Sequence, residues 1–285
     1  MTALALAFVL IAAFLHASWN LLAKRVAGGL AFIWLVAAVA SVVYLPLSVG
    51  WILWLRPPLD SVSLLFILGS AILHLGYFFL LQRGYQVGDL SLVYPLARST
   101  GPALSTLGAV CLLGERPTAL AIGGIVFILF GVAVLTGGPR HIRGDTRGAV
   151  LYGILTGSFI ACYTLWDAWA VQRHQVPPLI LDWGSNVGRA LLLIPLVRYR
   201  RQEISRHWRL HRRPIVTIAV IATASYILVL TAMTFTPVSY VAPTREISIL
   251  IGALMGRHLL DEAAGARRIV GAAIMVAGVV ALALG

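Results

Sequence analysis

Five ionisable side chains, Arg98, Asp167, Arg189, Arg245 and Glu246, lie deep inside stretches that are otherwise apolar. A charge at the centre of a membrane helix costs about 2.5–3.5 kcal/mol on insertion scales, so such side chains face a cavity and hold a partner. Three arginines against two acids favour contact with an anionic or zwitterionic small molecule. Tyr94, Arg98, Gly101 and Ser105 recur at helical spacing and share one face. Arg98 there offers a planar, permanently charged fork for a carboxylate or phosphonate. The plainer alternative is a structural ion pair with Asp167 or Glu246. Pro95 and Pro102 disturb the same helix, which is tolerated where the backbone lines a cavity.

His16, Trp19 and Asn20 form a second group, and Tyr163, Trp166 and Asp167 a third. His16 is the candidate titrating cation and Asp167 the candidate titrating acid. Either could carry a coupling proton, or simply pack against a hydrogen-bond partner. Tryptophans in such places more commonly pack helices than stack on substrate. His74, mid-span, reads first as a satisfied core residue and second as a substrate contact. Arg189 has no acid one turn away, so it pairs across the bundle or meets an anionic substrate. Arg245 and Glu246 are adjacent, about 100° apart around a helix, so at most one points at the cavity centre. Asp182, near the start of its span, is placed to complement the helix dipole.

The elements that position these groups are membrane helices. Sixty per cent of residues are apolar, 11% are charged, and mean hydropathy is +0.91. A bilayer core of about 30 Å needs roughly 20 apolar residues per helix. Ten continuous apolar runs meet that need, near 2–23, 30–53, 61–82, 90–113, 119–137, 148–172, 178–197, 214–235, 239–260 and 267–284. The predicted fold is an all-α polytopic membrane protein. The first run is long enough to be a retained span. Cys111 and Cys162 fall inside spans without metal-ligand spacing and read as small packing residues. No cofactor or metal motif is visible, and neither is the nucleophile or metal constellation that an enzyme would need.

The net charge of +12 reflects topology, with no nucleic-acid partner implied. Sixteen basic residues fall in the loops after spans 1, 3, 5, 7 and 9, against Arg56, Arg116 and Arg173 on the other side. The positive-inside rule puts the sixteen in the cytoplasm and both termini outside, in a bacterial inner membrane. The run Arg198–Arg213, interleaved with Ile204, Trp208 and Leu210, reads as an anchoring loop or a segment lying on anionic lipid.

The chain also repeats itself. Trp19 and Trp166 are 147 residues apart, as are Glu115 and Glu262, Gly124 and Gly271, and Gly131 and Gly278. Residues 1–137 and 148–285 form two five-span units joined by a Gly/Arg-rich linker, 138–147. Five is odd, so the second unit enters the membrane from the opposite face. Inverted repeats with a midplane site between them are a recurring architecture of secondary transporters. Pro95 and Pro243, nearly equivalent in the two halves, are candidate gates. Glu115 and Glu262 read as hairpin and interface residues, and Gly123, Gly124, Gly131, Gly271 and Gly278 as packing glycines.

In His16-Ala17-Ser18-Trp19-Asn20 with Lys24, Tyr94-Pro95, Leu113-Gly114-Glu115-Arg116-Pro117 and Gly123-Gly124 with Gly131, the chain resembles the drug/metabolite transporter superfamily, in its EamA-like branch. Pro243, Asp261-Glu262, Gly271 and Gly278 carry the resemblance through the second half. It implies a ten-helix basket with the cavity lined by the first four helices of each repeat, and export or exchange of amino acids and other small metabolites without ATP hydrolysis. Many members are drawn with cytoplasmic termini, unlike the loop-charge result here. The expected function is alternating-access transport of an amino acid or related carboxylate or phosphonate. Alternatives are a proton-coupled exporter of cationic drugs, a non-transport membrane scaffold and an intramembrane enzyme. Partners are a small-molecule substrate, the lipid bilayer and a coupling proton; oligomeric state is not legible.

Overall fold

The computed structural model describes all residues except 27–28, 88–89, 137–146 and 261–265; several side chains beside these segments and in the fourth helix, Tyr94 and Pro95 among them, are also outside the described set. Asp261, Glu262 and all but the last residue of the linker 138–147 lie outside the described residues. The described backbone forms helices α1 (Ala3–Val26), α2 (Leu30–Leu55), α3 (Ser61–Val87), α4 (Leu90–Leu113), α5 (Ala119–Thr136), α6 (Arg147–Gln172), α7 (Pro178–Val197), α8 (Arg201–Met233), α9 (Val238–Thr244), α10 (Ile247–Leu260) and α11 (Ala266–Leu284). No strand occurs among the described residues. Helices α1, α2, α3, α6, α7 and α8 are long and apolar enough to cross a membrane, and α5 and α11 hold shorter apolar stretches. Large apolar side chains such as Leu53, Trp54, Leu112 and Phe130 project outward, the inverse of a water-soluble surface.

Two spans differ from their sequence outlines. The ninth breaks into α9 and α10 at Arg245–Glu246. Pro243 has no N–H to give, and the bonds that follow, Glu246 N to Pro243 O and Ser248 N to Arg245 O, are tight three-residue turns. The eighth starts earlier than expected, because the arginine-rich segment is helical from Arg201 rather than a loop. It joins the span through a kink at His211 (φ −129°, ψ 22°), three residues before Pro214. The proline ring crowds the carbonyl of Leu210 and cannot continue the ladder. Ile204 and His207 turn inward toward Phe32, while Trp208 and Leu210 stay exposed.

Helix pairing follows the sequence repeat. α1 packs on α8 as α3 packs on α6, α2 meets α7, and α5 meets α11. At the last pair, a Cβ on Gly124 would lie 2.7 Å from the Gly278 carbonyl oxygen, and a Cβ on Gly278 2.7 Å from that of Gly124. A Cβ on Gly131 would lie 2.9 Å from the Gly271 oxygen. Position rises along α5 as it falls along α11, so the two helices run antiparallel at backbone contact. Gly123 meets nothing and is not a packing glycine. Cys111 and Cys162 are both exposed on the helix surfaces rather than packed inside.

The Leu-Gly-Glu-Arg-Pro turn has a structural task. Gly114 takes a left-handed conformation (φ 71°) that ends α4. Glu115 then receives the backbone N–H groups of Val238 (2.6 Å) and Ser239 (2.9 Å), satisfying two orphan donors at the start of α9. Asp60 does the same for α3 through Ser63 N (2.8 Å), and this bond holds its carboxyl below the ordinary carboxylate range.

Candidate functional site

A cavity of about 160 Å³ opens between the two halves, lined from α1, α2, α3 and α4 on one side and α6, α7, α8 and the α9–α10 break on the other. A second space of about 280 Å³, sharing Ile33 and Phe78, continues toward Gly29, Gln86 and Arg200. These lie at the helix ends that carry the arginine-rich α7–α8 connection. The other half of the bundle is filled by an apolar cluster including Val9, Phe66, Ala109, Leu181, Leu230, Met233 and Val241. The cavity therefore approaches one end of the bundle and is plugged toward the other.

At its base, the Arg98 Nη2 lies 2.9 Å from Glu246 Oε2 and donates to Ser248 Oγ at 3.1 Å. Arg98 and Arg245 are 147 residues apart, the repeat spacing, and both line the cavity. Arg245 Nη2 donates to the Tyr163 hydroxyl at 3.4 Å. Tyr163 and His16, also 147 apart, both line the cavity as well. His74 stacks on Tyr163 (ring centroids 4.1 Å, 25°) and meets Tyr226 edge-on at 5.3 Å. Its Nδ1 lies 2.9 Å from the Ser70 carbonyl, so Nδ1 carries the proton and donates.

The wall formed by α7 was not foreseen as a unit. Asn186 Nδ2 donates to Asp182 Oδ2 at 3.0 Å, and Arg189 Nη2 donates to Asn186 Oδ1 at 2.7 Å. Asp182 lies in the second turn of α7, buried on the cavity wall, so beyond its place near the helix start it belongs to the site. It also brings the interior acids to three, equal to the arginines, which removes the simple charge-count argument for an anion. The spacing i, i+4, i+7 on α7 was the missed signal, the same pattern used for α4. Tyr226, from α8, donates its hydroxyl to Asp167 Oδ2 at 2.5 Å. No sequence pattern singled it out.

Among the residues expected at the site, His16, Trp19, His74, Arg98, Tyr163, Arg189 and Arg245 line the cavity. Asp167 and Glu246, both 0% exposed, sit one layer behind, reached through Tyr226 and Arg98. Asn20 turns its amide back onto the His16 carbonyl (2.7 Å). Trp166 donates to the Phe66 carbonyl (2.9 Å), and its ring lies over Gly69. The Tyr94 side chain lies outside the described set. Pro95 lies in the continuous α4 backbone, whereas Pro243 lies just before the α9–α10 break. Among the described residues, no three His, Cys, Asp or Glu side chains converge as metal ligands.

The sequence pattern of the EamA-like transporter family matches residues 3–137 and, a second time, 147–284. The chain belongs to the EamA-like transporter family. It is a polytopic membrane protein of the drug/metabolite transporter superfamily, and the family is one of transporters rather than enzymes. A solved crystal structure, described only as that of a protein, superimposes with a TM-score of 0.77 over 100% of this chain and 98% of the other, at 17% identity. That likeness shows the fold alone. The glycerol dehydrogenase small subunit of Gluconobacter oxydans (strain 621H) is 25% identical over 123 residues, 43% of this chain and 94% of that one. Its name describes the relative and assigns no dehydrogenase activity here.

Proposed function

We propose that this EamA-like protein is a secondary transporter that moves a small anionic or zwitterionic metabolite by alternating access. The observation that carries the proposal is the cavity between the two halves, walled by Arg98, Arg189 and Arg245 and plugged toward one end by apolar packing. A site approached from one end only is one of the two states alternation requires. The reciprocal contacts between the halves support an inverted ten-span repeat, in which the second state exchanges the roles of the two units. α4 is continuous while its counterpart is broken at Arg245–Glu246, so the break is a natural place for that exchange, with Pro95 and Pro243 as gates. Loop charges support a bacterial inner-membrane location with both termini outside. Export or exchange is the direction that fits the family.

Counterflow in proteoliposomes tests the proposal. Protein loaded with unlabelled carboxylate and amino-acid pools should take up labelled solute against its gradient. Absence of counterflow for every anionic and zwitterionic solute would overturn it. The aromatic cluster of Tyr77, Tyr163, Tyr226 and His74 favours a second reading, export of a cationic solute through ring-face attraction. Counterflow with amines alone would select it.

A further inference from the structure

We infer that the cavity takes a monoanion with an apolar or aromatic body, its single carboxylate held by Arg245, and that it does not select for an ammonium group. The inference rests on the transporter reading above and names the solute class for the same cavity.

Each interior acid has a partner, and the two with an oxygen left over, Asp167 and Glu246, are 0% exposed and lie behind the cavity wall. Glu246 lies 2.9 Å from Arg98. Asp182 accepts from Asn186, which in turn accepts from Arg189. Asp167 lies behind the wall and accepts from Tyr226. Arg245 differs from Arg98 and Arg189 in having no ion pair or short hydrogen bond among the described residues. Its guanidinium is on the cavity wall in a residue only 5% exposed; among the described residues its one hydrogen bond is the long one to Tyr163, and its Nε has no hydrogen-bond partner. Burying a guanidinium with donors unfilled is costly, and removing that deficit is what a carboxylate does best. Two carboxylate oxygens match the fork of an arginine in parallel hydrogen bonds.

The local pairing sets the ligand charge: Glu246 lies against Arg98, which leaves Arg245 with no carboxylate in hydrogen-bond contact among the described residues. An ammonium would need a free carboxylate on the wall, and the wall's Asp182 is held within the α7 chain of hydrogen bonds. Much of the rest of the lining is apolar or aromatic, including Phe32, Val36, Phe78, Ile218 and Val229, with Thr223 and Ser225 as neutral polar neighbours. Such a surface accepts a hydrocarbon body and rejects a second charge.

The test uses three probes sharing one aromatic body: 3-phenylpropanoate, phenylalanine and phenethylamine. Thermal unfolding of the purified full chain in detergent reads binding, because a ligand that binds only the folded state raises Tm. The expected order is a clear rise with 3-phenylpropanoate, a smaller one with phenylalanine and none with phenethylamine. Arg245→Gln should erase the rise, and Arg245→Lys should keep the order with binding about ten-fold weaker. If Arg245→Gln does not fold, the wild-type order and Arg245→Lys decide. A rise with phenethylamine, or one with phenylalanine equal to or above that with 3-phenylpropanoate, overturns the inference. So does a rise that survives Arg245→Gln. No rise with any probe also overturns it, and counterflow of another solute by the same preparation would then leave the transporter reading intact. Absence of all counterflow would remove that reading instead.

Discussion

Trp34 and Trp183 exchange equivalent bonds across the α2–α7 contact. Trp34 Nε1 donates to the Ala190 carbonyl at 3.0 Å, and Trp183 Nε1 donates to the Ser41 carbonyl at 2.9 Å. Donors and acceptors are each 149 residues apart, so either bond maps onto the other when the halves are exchanged. Trp34→Phe and Trp183→Phe should each cost about 0.5–1.5 kcal/mol, the net worth of one hydrogen bond. The donors sit about 10 Å apart along the helix pair, so the costs should add. Denaturation in detergent of the two single variants and the double would show this; strongly unequal losses would break the equivalence.

Neighbouring glycines on α5 should behave oppositely. A methyl group at Gly123 meets nothing, so Gly123→Ala should stabilise by up to about 1 kcal/mol through helix propensity. At Gly124 it would press on the Gly278 carbonyl and the Leu282 amide at 2.7 and 2.8 Å. Gly124→Ala should therefore lower Tm, as overpacking does, by the equivalent of about 1–3 kcal/mol.

The Arg98–Glu246 pair should show the asymmetry of buried ions. Arg98→Met or Glu246→Leu alone strands a charge and should cost about 3–5 kcal/mol, while the double substitution should recover most of that loss. A double variant no more stable than either single would mean the pair is held by contacts other than charge.

Removing Glu115 should be felt at a distance. Glu115→Ala leaves the amides of Val238 and Ser239 without acceptors, and should destabilise by about 1–3 kcal/mol. Hydrogen exchange would locate the loss: faster exchange should concentrate at the start of α9, with the far end of α8 little changed.

Asp167 is placed to couple transport to protons, since Tyr226 lines the cavity and donates to it, and its Oδ1 has no hydrogen-bond partner among the described residues. Asp167→Asn should retain counterflow yet lose acceleration by an imposed pH gradient in proteoliposomes. Equal acceleration in wild type and variant would exclude Asp167 as the coupling acid.

Much of this protein was legible in its residues. Apolar runs long enough to span a bilayer force a helical fold, because no water is there to satisfy an open backbone. The 147-residue echo exposed the duplication, and three of the five charged residues inside apolar runs, Arg98, Arg189 and Arg245, line the cavity. Periodicity assigns a residue to a face, however, and not to a partner on another helix. Asp182 reads as an acid near a helix start, and only the placement of α7 shows it buried on the cavity wall beside Asn186 and Arg189. Trp19 and Trp166 hold equivalent places in the repeat, but only Trp19 reached the cavity. Pro95 and Pro243 were equally visible, yet only the helix containing Pro243 is broken.

Class, duplication and the inward placement of charge were thus determined by the sequence itself, since bilayer solvation acts on each segment separately. Tertiary structure alone decided that Arg98 is paired with Glu246 while Arg245 keeps donors to spare. The reason is physical: pairing of buried charges is set by ångström distances between helices far apart in the chain, and no spacing within one helix encodes them.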